Sequence, residues 1–191
     1  MITLKIHLRT TLIFVILVLF AGQSSGRELK VSNYMDLKFK NIVRQEYDFT
    51  CGLASLINIL ATNYQINIEE EDLIKIIGIK PEYSFIDLQN TLKKFDILSM
   101  GVKISLKQLE KVNSPTILYL KRNGTNHFVI FNGIDSSLIQ IIDPAWGNIN
   151  YTRSQFERYW LQDNQLGRAL ILMKKTVMHI NHDYVYRKSL F

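Results

Sequence analysis

The chain of 191 residues is long enough for one domain with a sizeable core and short for two. At 47% hydrophobic and 21% charged residues it falls outside the disordered, collagenous and coiled-coil classes. The net charge of +6 is mild, and its basic residues are scattered through stretches such as LKKFD, KQLEK and LKRNG, which excludes a dense nucleic-acid footprint.

Residues 1–26 read as a secretory signal peptide. Lys5, His7 and Arg9 make a basic start, TLIFVILVLFA (11–21) an apolar run, and Ser24 and Gly26 fit the small-residue positions before a cut ahead of Arg27. Eleven apolar residues fall short of the roughly 20 that span a bilayer. The expectation is a cleaved peptide, no lasting membrane insertion and a periplasmic or secreted product. Removing Lys5 and Arg9 lowers the net charge from +6 to +4. Residues 27–191 are expected to form a single domain with its core at about 40–175, and 27–40 to be an irregular lead-in.

Leu53, Leu56, Ile57 and Leu60 fall at i, i+3, i+4 and i+7, which predicts a helix from about Cys51 to Tyr64. Asp48 and Thr50 stand before it as start signals. EEEDLIKIIG predicts a second helix with acids in its first turn and Gly78 as its stop. A third opens at Ser84, with Asp87 completing a capping box and Phe85, Leu88, Leu92 and Phe95 inward. A short fourth starts at Ser105, with Leu106 and Leu109 inward. The period then changes. Residues 116–121, 127–134, 137–143, 148–152 and 167–175 read as strands separated by the turn signals RNGTN, DSS and PAWGN. SQFERYW reads as a short helix before the last strand. Helices first and an antiparallel sheet second make an α+β layout, a helical layer packed on a sheet.

Cys51 is the chain's one cysteine, so an exported product keeps an unpaired thiol. At a helix N-terminus a thiol meets the positive end of the macrodipole and unpaired N–H groups, both of which favour the thiolate nucleophile. Gly52 is expected to leave room for a substrate backbone. A nucleophilic cysteine needs a base. Of the histidines beyond residue 26, His179 and His182 lie in a polar C-terminal tail that lacks the H-E-x-x-H pattern of a zinc site. His127 begins a strand. In a hairpin turning at Asp135 and Ser136, partner numbers sum to about 271. His127 and Asp143 therefore sit nearly opposite each other, and Asp143 is placed to orient the imidazole. Asp135 is at the wrong end. Gln45, six residues before Cys51, is placed to donate to an oxyanion. Trp146 and Trp160 read as packing residues ahead of cleft residues.

QEYDFTCGLASL, NHFVIFNGI and DPAWG together resemble the bacteriocin-processing, double-glycine peptidases, a papain-like cysteine peptidase family. Glutamine, a Cys-Gly opening a helix six residues on, a His-Phe-Val strand start and an Asp-Pro after the next strand occur in the family's order and spacing, over about residues 40–175. The resemblance implies a papain-like fold, with Cys51 as nucleophile, His127 as general base and acid, Asp143 as orienting residue and Gln45 as oxyanion donor. It also implies peptide or protein substrates, with a Gly-rich cleavage site as the family preference, a monomer, and neither metal nor organic cofactor. Thr50 stands where the family often has aspartate. No G-x-x-x-x-G-K-[ST] occurs, so the chain resembles a stand-alone exported relative rather than a transporter domain. The alternative is a catalytically silent peptide-binding or assembly module on the same fold.

Overall fold

A computed structural model of the protein describes residues 33–122, 124–135 and 137–173. Residues 1–26, expected to be a signal peptide, and the tail with His179 and His182 lie outside the described residues. Among those described, no helix is long and apolar enough to cross a membrane.

The lead-in is more regular than expected. Helix α1 spans Tyr34–Lys38, where Lys38 Nζ lies 5.6 Å from the centre of the Tyr34 ring one turn earlier. Helix α2, Cys51–Tyr64, has the predicted limits. Its first ten residues are all buried, so it is a central helix and not one with a single inward face. The polar members of that run are bonded. Asn58 holds the backbone of Val43 by two bonds of 2.8 Å, and Ser55 donates to Phe128 O at 3.4 Å. Helix α3 spans Glu70–Ile77 and stops at Gly78, whose φ of 87° suits a residue without a β-carbon. Helix α4 spans Phe85–Lys94 behind the Ser84–Asp87 capping box. It buries Leu88 and Leu92, while Phe85 and Phe95 are half-buried, packed at the edge of the same core. Helix α5, Leu106–Leu109, carries a second capping box between Ser105 and Gln108.

Six strands form one antiparallel sheet: β1 Ser99–Ile104, β2 Thr116–Arg122, β3 Thr125–Ile134, β4 Leu138–Asp143, β5 Gly147–Thr152 and β6 Gly167–Leu172. Their order is β1-β6-β2-β3-β4-β5, so the last strand enters between the first and the second. Helix α6, Arg153–Trp160, precedes β6. Alternate residues divide between two cores. Ile117, Phe128, Ile130 and Leu170 pack with α2 and α4 on one face; Leu118, Leu120, Val129 and Ala169 pack with Phe156 and Trp160 of α6 on the other.

Gly167 fixes how α6 meets the sheet. A β-carbon there would lie 2.1 Å from Trp160 Cε2, and Trp160 is fully buried with its indole N–H on Arg168 O at 2.9 Å. The ring has no way out. Gly167→Ala is expected to cost about 3 kcal/mol, read as a lower urea midpoint at unchanged slope. An unchanged midpoint would show that α6 moves away at little cost.

Candidate active site

The site gathers at one end of the sheet, from three parts of the chain. The segment before α2 supplies Gln45 and delivers Cys51. Strand β3 supplies His127, and the end of β4 supplies Asp143. Gln45 N donates to Pro144 O at 3.1 Å, which ties the segment before the cysteine to the residue after the aspartate. Thr50 stands at the N-cap of α2 without capping it. Its hydroxyl instead accepts from Tyr47 N at 3.1 Å and donates to Tyr47 O at 2.8 Å, locking the turn before the cysteine. Glu70, in the first turn of α3, is a buried carboxylate that accepts from Glu46 N at 3.4 Å. Burial raises its pKa, against the hydrogen bond from Glu46 N. Nothing in the sequence around Glu70 signals this support, because acids in a helix's first turn are ordinary.

Cys51 is the first residue of α2 and only 8% exposed. Phe128 N donates to its sulfur at 3.5 Å. His127 and Asp143 meet, with Nε2 of the imidazole 2.7 Å from Asp143 Oδ1. A carboxylate only accepts, so Nε2 carries the proton, and Nδ1 is the ring nitrogen left for Cys51, whose sulfur is hydrogen-bonded to the neighbouring residue of β3. Burial is the largest influence on the imidazole and disfavours its charged form. The hydrogen bonds and charges of Asp143 and Cys51 together outweigh it, and the His127 pKa is raised from 6.5 to about 9.

The hairpin arithmetic behind this pair needs correction. The ladder pairs Ile130 with Ile142 and Phe131 with Ile141, and a bulge lies between Phe131 and Gly133. Extended by one pair, it sets Val129 against Asp143. His127 is therefore a diagonal neighbour on the same face, and its long side chain closes the distance. Asp135 holds the turn instead, accepting from Ser137 N at 2.8 Å and Leu138 N at 2.7 Å.

Asp143 is fully buried. Oδ1 also accepts from Ala145 N at 2.8 Å and Trp146 N at 3.2 Å. Oδ2 has no hydrogen-bond partner, and Arg122 Nη1 lies 3.7 Å from it. Gly147 makes the tight return after this turn possible, with a φ of 77° and Lys38 O 2.3 Å from where a β-carbon would stand.

Gln45 donates from Nε2 to Tyr47 O at 2.8 Å, leaving one amide N–H over; its Oε1 is buried without a partner. Gly52 does not face a substrate. A β-carbon there would lie 3.1 Å from Phe128 Cδ2 and 3.6 Å from Leu88 Cδ1, so the glycine lets α2 lie against β3 and α4. Trp160 packs as expected. Trp146 is 53% exposed, beneath the cations of Lys38 and Arg122, each 5.4 Å from the ring centre. A cavity of about 310 Å³ is lined in part by Phe128, the residue whose N–H donates to the Cys51 sulfur. Tyr83, Phe85 and Tyr119 line it with Phe128, and Glu82 and Arg168 bring both signs of charge. Among the described residues, no group of three or more His, Cys, Asp or Glu side chains is arranged to hold a metal ion.

Residues 39–175 match the Peptidase C39 family. A protein of Pseudomonas fluorescens described as "Probable functional amyloid protease FapD" is 29% identical over 139 residues, 69% of this chain. Its counterpart in Pseudomonas aeruginosa is 27% identical over the same length. The match spans 62% of each relative's own length. Among solved structures, a double glycine motif protease from an AMS/PCAT transporter, in complex with the leader peptide, aligns with a TM-score of 0.60 at 23% identity, over 69% of this chain and 89% of that one. The peptidase domain of Streptococcus ComA, a bifunctional ABC transporter, aligns with a TM-score of 0.60 at 19% identity, over 69% and 96%. The expected α+β papain-like peptidase fold, helices on an antiparallel sheet, is the observed one.

Proposed function

The chain belongs to the peptidase C39 family, and we propose that it is an exported cysteine endopeptidase that hydrolyses peptide bonds through Cys51, His127, Asp143 and Gln45. The observation that carries this reading is the 2.7 Å contact of His127 Nε2 with Asp143 Oδ1 beside Cys51 at the start of α2, whose sulfur accepts from the N–H of the next residue after His127, Phe128, at 3.5 Å. A His127 pKa of about 9 keeps the imidazole charged at neutral pH, where it stabilises a thiolate beside it. The thiolate attacks the scissile carbonyl, and the carbon–nitrogen bond breaks as His127 gives its proton to the leaving amine. The neutral imidazole then takes a proton from water, which hydrolyses the acyl-enzyme and restores the thiol. The oxyanion is held by the N–H groups that Thr50 leaves uncapped at the start of α2, together with the free amide N–H of Gln45.

The substrate is a peptide or protein met outside the cytosol. The basic start and apolar run of residues 1–26 support export, and the two Pseudomonas relatives, described as proteases of functional amyloid, suggest an exported protein chain. The test is incubation of the protein with a mixed peptide library that includes Gly-Gly sequences, products being read by mass. Cleavage that disappears in Cys51→Ala supports the reading. Binding of the same peptides without cleavage at any pH between 5 and 9 would replace it with the silent peptide-binding module.

Gln45→Ala is expected to lower kcat by about 10²-fold with KM little changed, since its N–H serves the charge that develops after attack. A larger effect on KM than on kcat would make Gln45 a ground-state contact.

A further inference from the structure

The geometry points to Arg122 as a positioning residue of the site, one that acts on His127 through the oxygen of Asp143 that His127 does not use. This rests on the reading that Cys51, His127 and Asp143 act together. Arg122 is the last residue of β2, on the sheet face that carries Leu118 and Leu120. Its Nη1 lies 3.7 Å from Asp143 Oδ2, a buried oxygen with no hydrogen-bond partner. Two contacts hold the guanidinium there. Nη1 donates to the Tyr151 hydroxyl at 2.9 Å, and the Trp146 ring lies 5.4 Å from its centre. Tyr151 is itself buried and set edge-on against Tyr159. A guanidinium fixed by two contacts beside an unpartnered buried carboxylate oxygen is a built arrangement and not a chance surface pair.

Its consequence follows from the proton cycle. While His127 is an imidazolium, Asp143 has a cation at Oδ1. When His127 passes its proton to the leaving amine, that cation vanishes and a buried carboxylate is left behind. An isolated charge at such a depth is costly. Arg122 remains at Oδ2 throughout, so the neutral-imidazole state keeps a compensated Asp143. Arg122 therefore lowers the hold of Asp143 on the imidazolium proton. Without it the proton is held more tightly and His127 becomes a weaker acid. The charged groups around this corner are Cys51 and Asp143 at the imidazole, Arg122 at Asp143, and Lys38 on the far ring contact of Trp146.

The chain's one cysteine makes the test direct. The full protein is labelled with iodoacetate, an anion drawn to the imidazolium, across pH 5 to 11, with intact mass as readout. In the wild type the rate is expected to fall as His127 loses its proton near pH 9. In Arg122→Gln this alkaline limb is expected to move up by about one pH unit. Arg122→Lys is expected to keep it in place, and Tyr151→Phe to move it upward by less. A limb that stays put or moves down in Arg122→Gln overturns the proposal: a downward move is what loss of the His127–Asp143 contact through simple disorder would produce. Should Arg122→Gln fail to fold, Tyr151→Phe decides, and an unmoved limb there overturns it. A limb near 9 that persists in His127→Ala belongs to another group, and that result overturns the cysteine–histidine reading itself.

Discussion

Cys51→Ala is expected to lower the rate of peptide cleavage by at least about 10⁴-fold while the protein stays folded. The thiolate is the atom that forms the acyl-enzyme, and no other described side chain stands at that place. Thr50, the neighbouring hydroxyl, is already engaged at both ends by Tyr47, and Ser55 faces the Phe128 carbonyl one turn further on. The structural loss is small. The substitution removes one sulfur from a residue in the first turn of α2, where Phe128 N donates to it at 3.5 Å. Phe128 N is the group left short, and the cost is about 1–2 kcal/mol. Single-turnover assays by mass, beside a melting curve, separate the two effects. A variant within tenfold of the wild-type rate would end thiol chemistry as the explanation. Cys51→Ser, which keeps the shape and a hydrogen bond but offers a much poorer nucleophile, is expected to behave as Cys51→Ala does.

The parts of this site that were legible in the sequence are those written in local pattern. Leu53, Leu56, Ile57 and Leu60 set α2 and so placed Cys51 at its start. Ser84 with Asp87, and Ser105 with Gln108, announced α4 and α5. The turn after Ile134 brought His127 and Asp143 to one end of a hairpin, although the bulge after Phe131 changed which residues stand opposite. What stayed hidden depends on contacts between distant segments. Strand β1, SMGVKI, alternates Met100, Val102 and Ile104 with Ser99, Gly101 and Lys103, but it is a short run between two helices with no turn signal on either side, and its pairing with β6 is what makes it a strand. The insertion of β6 beside β2 has no local signature at all. Gly52 beside a cysteine suggests space for substrate, but the Phe128 ring fills that space from 76 positions further along the chain. Arg122 lies within a turn signal, RNGTN, and its approach to Asp143 depends on where β2 ends and how the Asp143–Gly147 turn folds back.

Asp143 separates orientation from charge, and two substitutions pull them apart. Asp143→Ala removes both. Nothing then accepts the Nε2 proton at 2.7 Å, the imidazole is free to turn away from the thiol, and kcat is expected to fall by about 10³–10⁴-fold. Asp143→Asn keeps an oxygen where Oδ1 stands, because the N–H groups of Ala145 and Trp146 both donate there and would repel an amide nitrogen. The imidazole therefore stays oriented, as in the Cys-His-Asn arrangement that other cysteine proteases use. What is lost is the negative charge, while the positive charge of Arg122 remains. The His127 pKa is then expected to fall from about 9 toward its ordinary 6.5, so the alkaline limb of cleavage moves down, the direction opposite to that of Arg122→Gln. The same sign governs stability. A histidine whose folded pKa is raised contributes stability that is fully present below about pH 6.5 and is lost as pH rises through about 9. The wild type should accordingly be more stable than Asp143→Asn at pH 6 and lose that part of its advantage by pH 10, as followed by urea midpoints across that range. Equal midpoint differences at pH 6 and pH 10, or an alkaline limb that stays near 9 in Asp143→Asn, would mean that the charge of Asp143 does not hold the His127 proton.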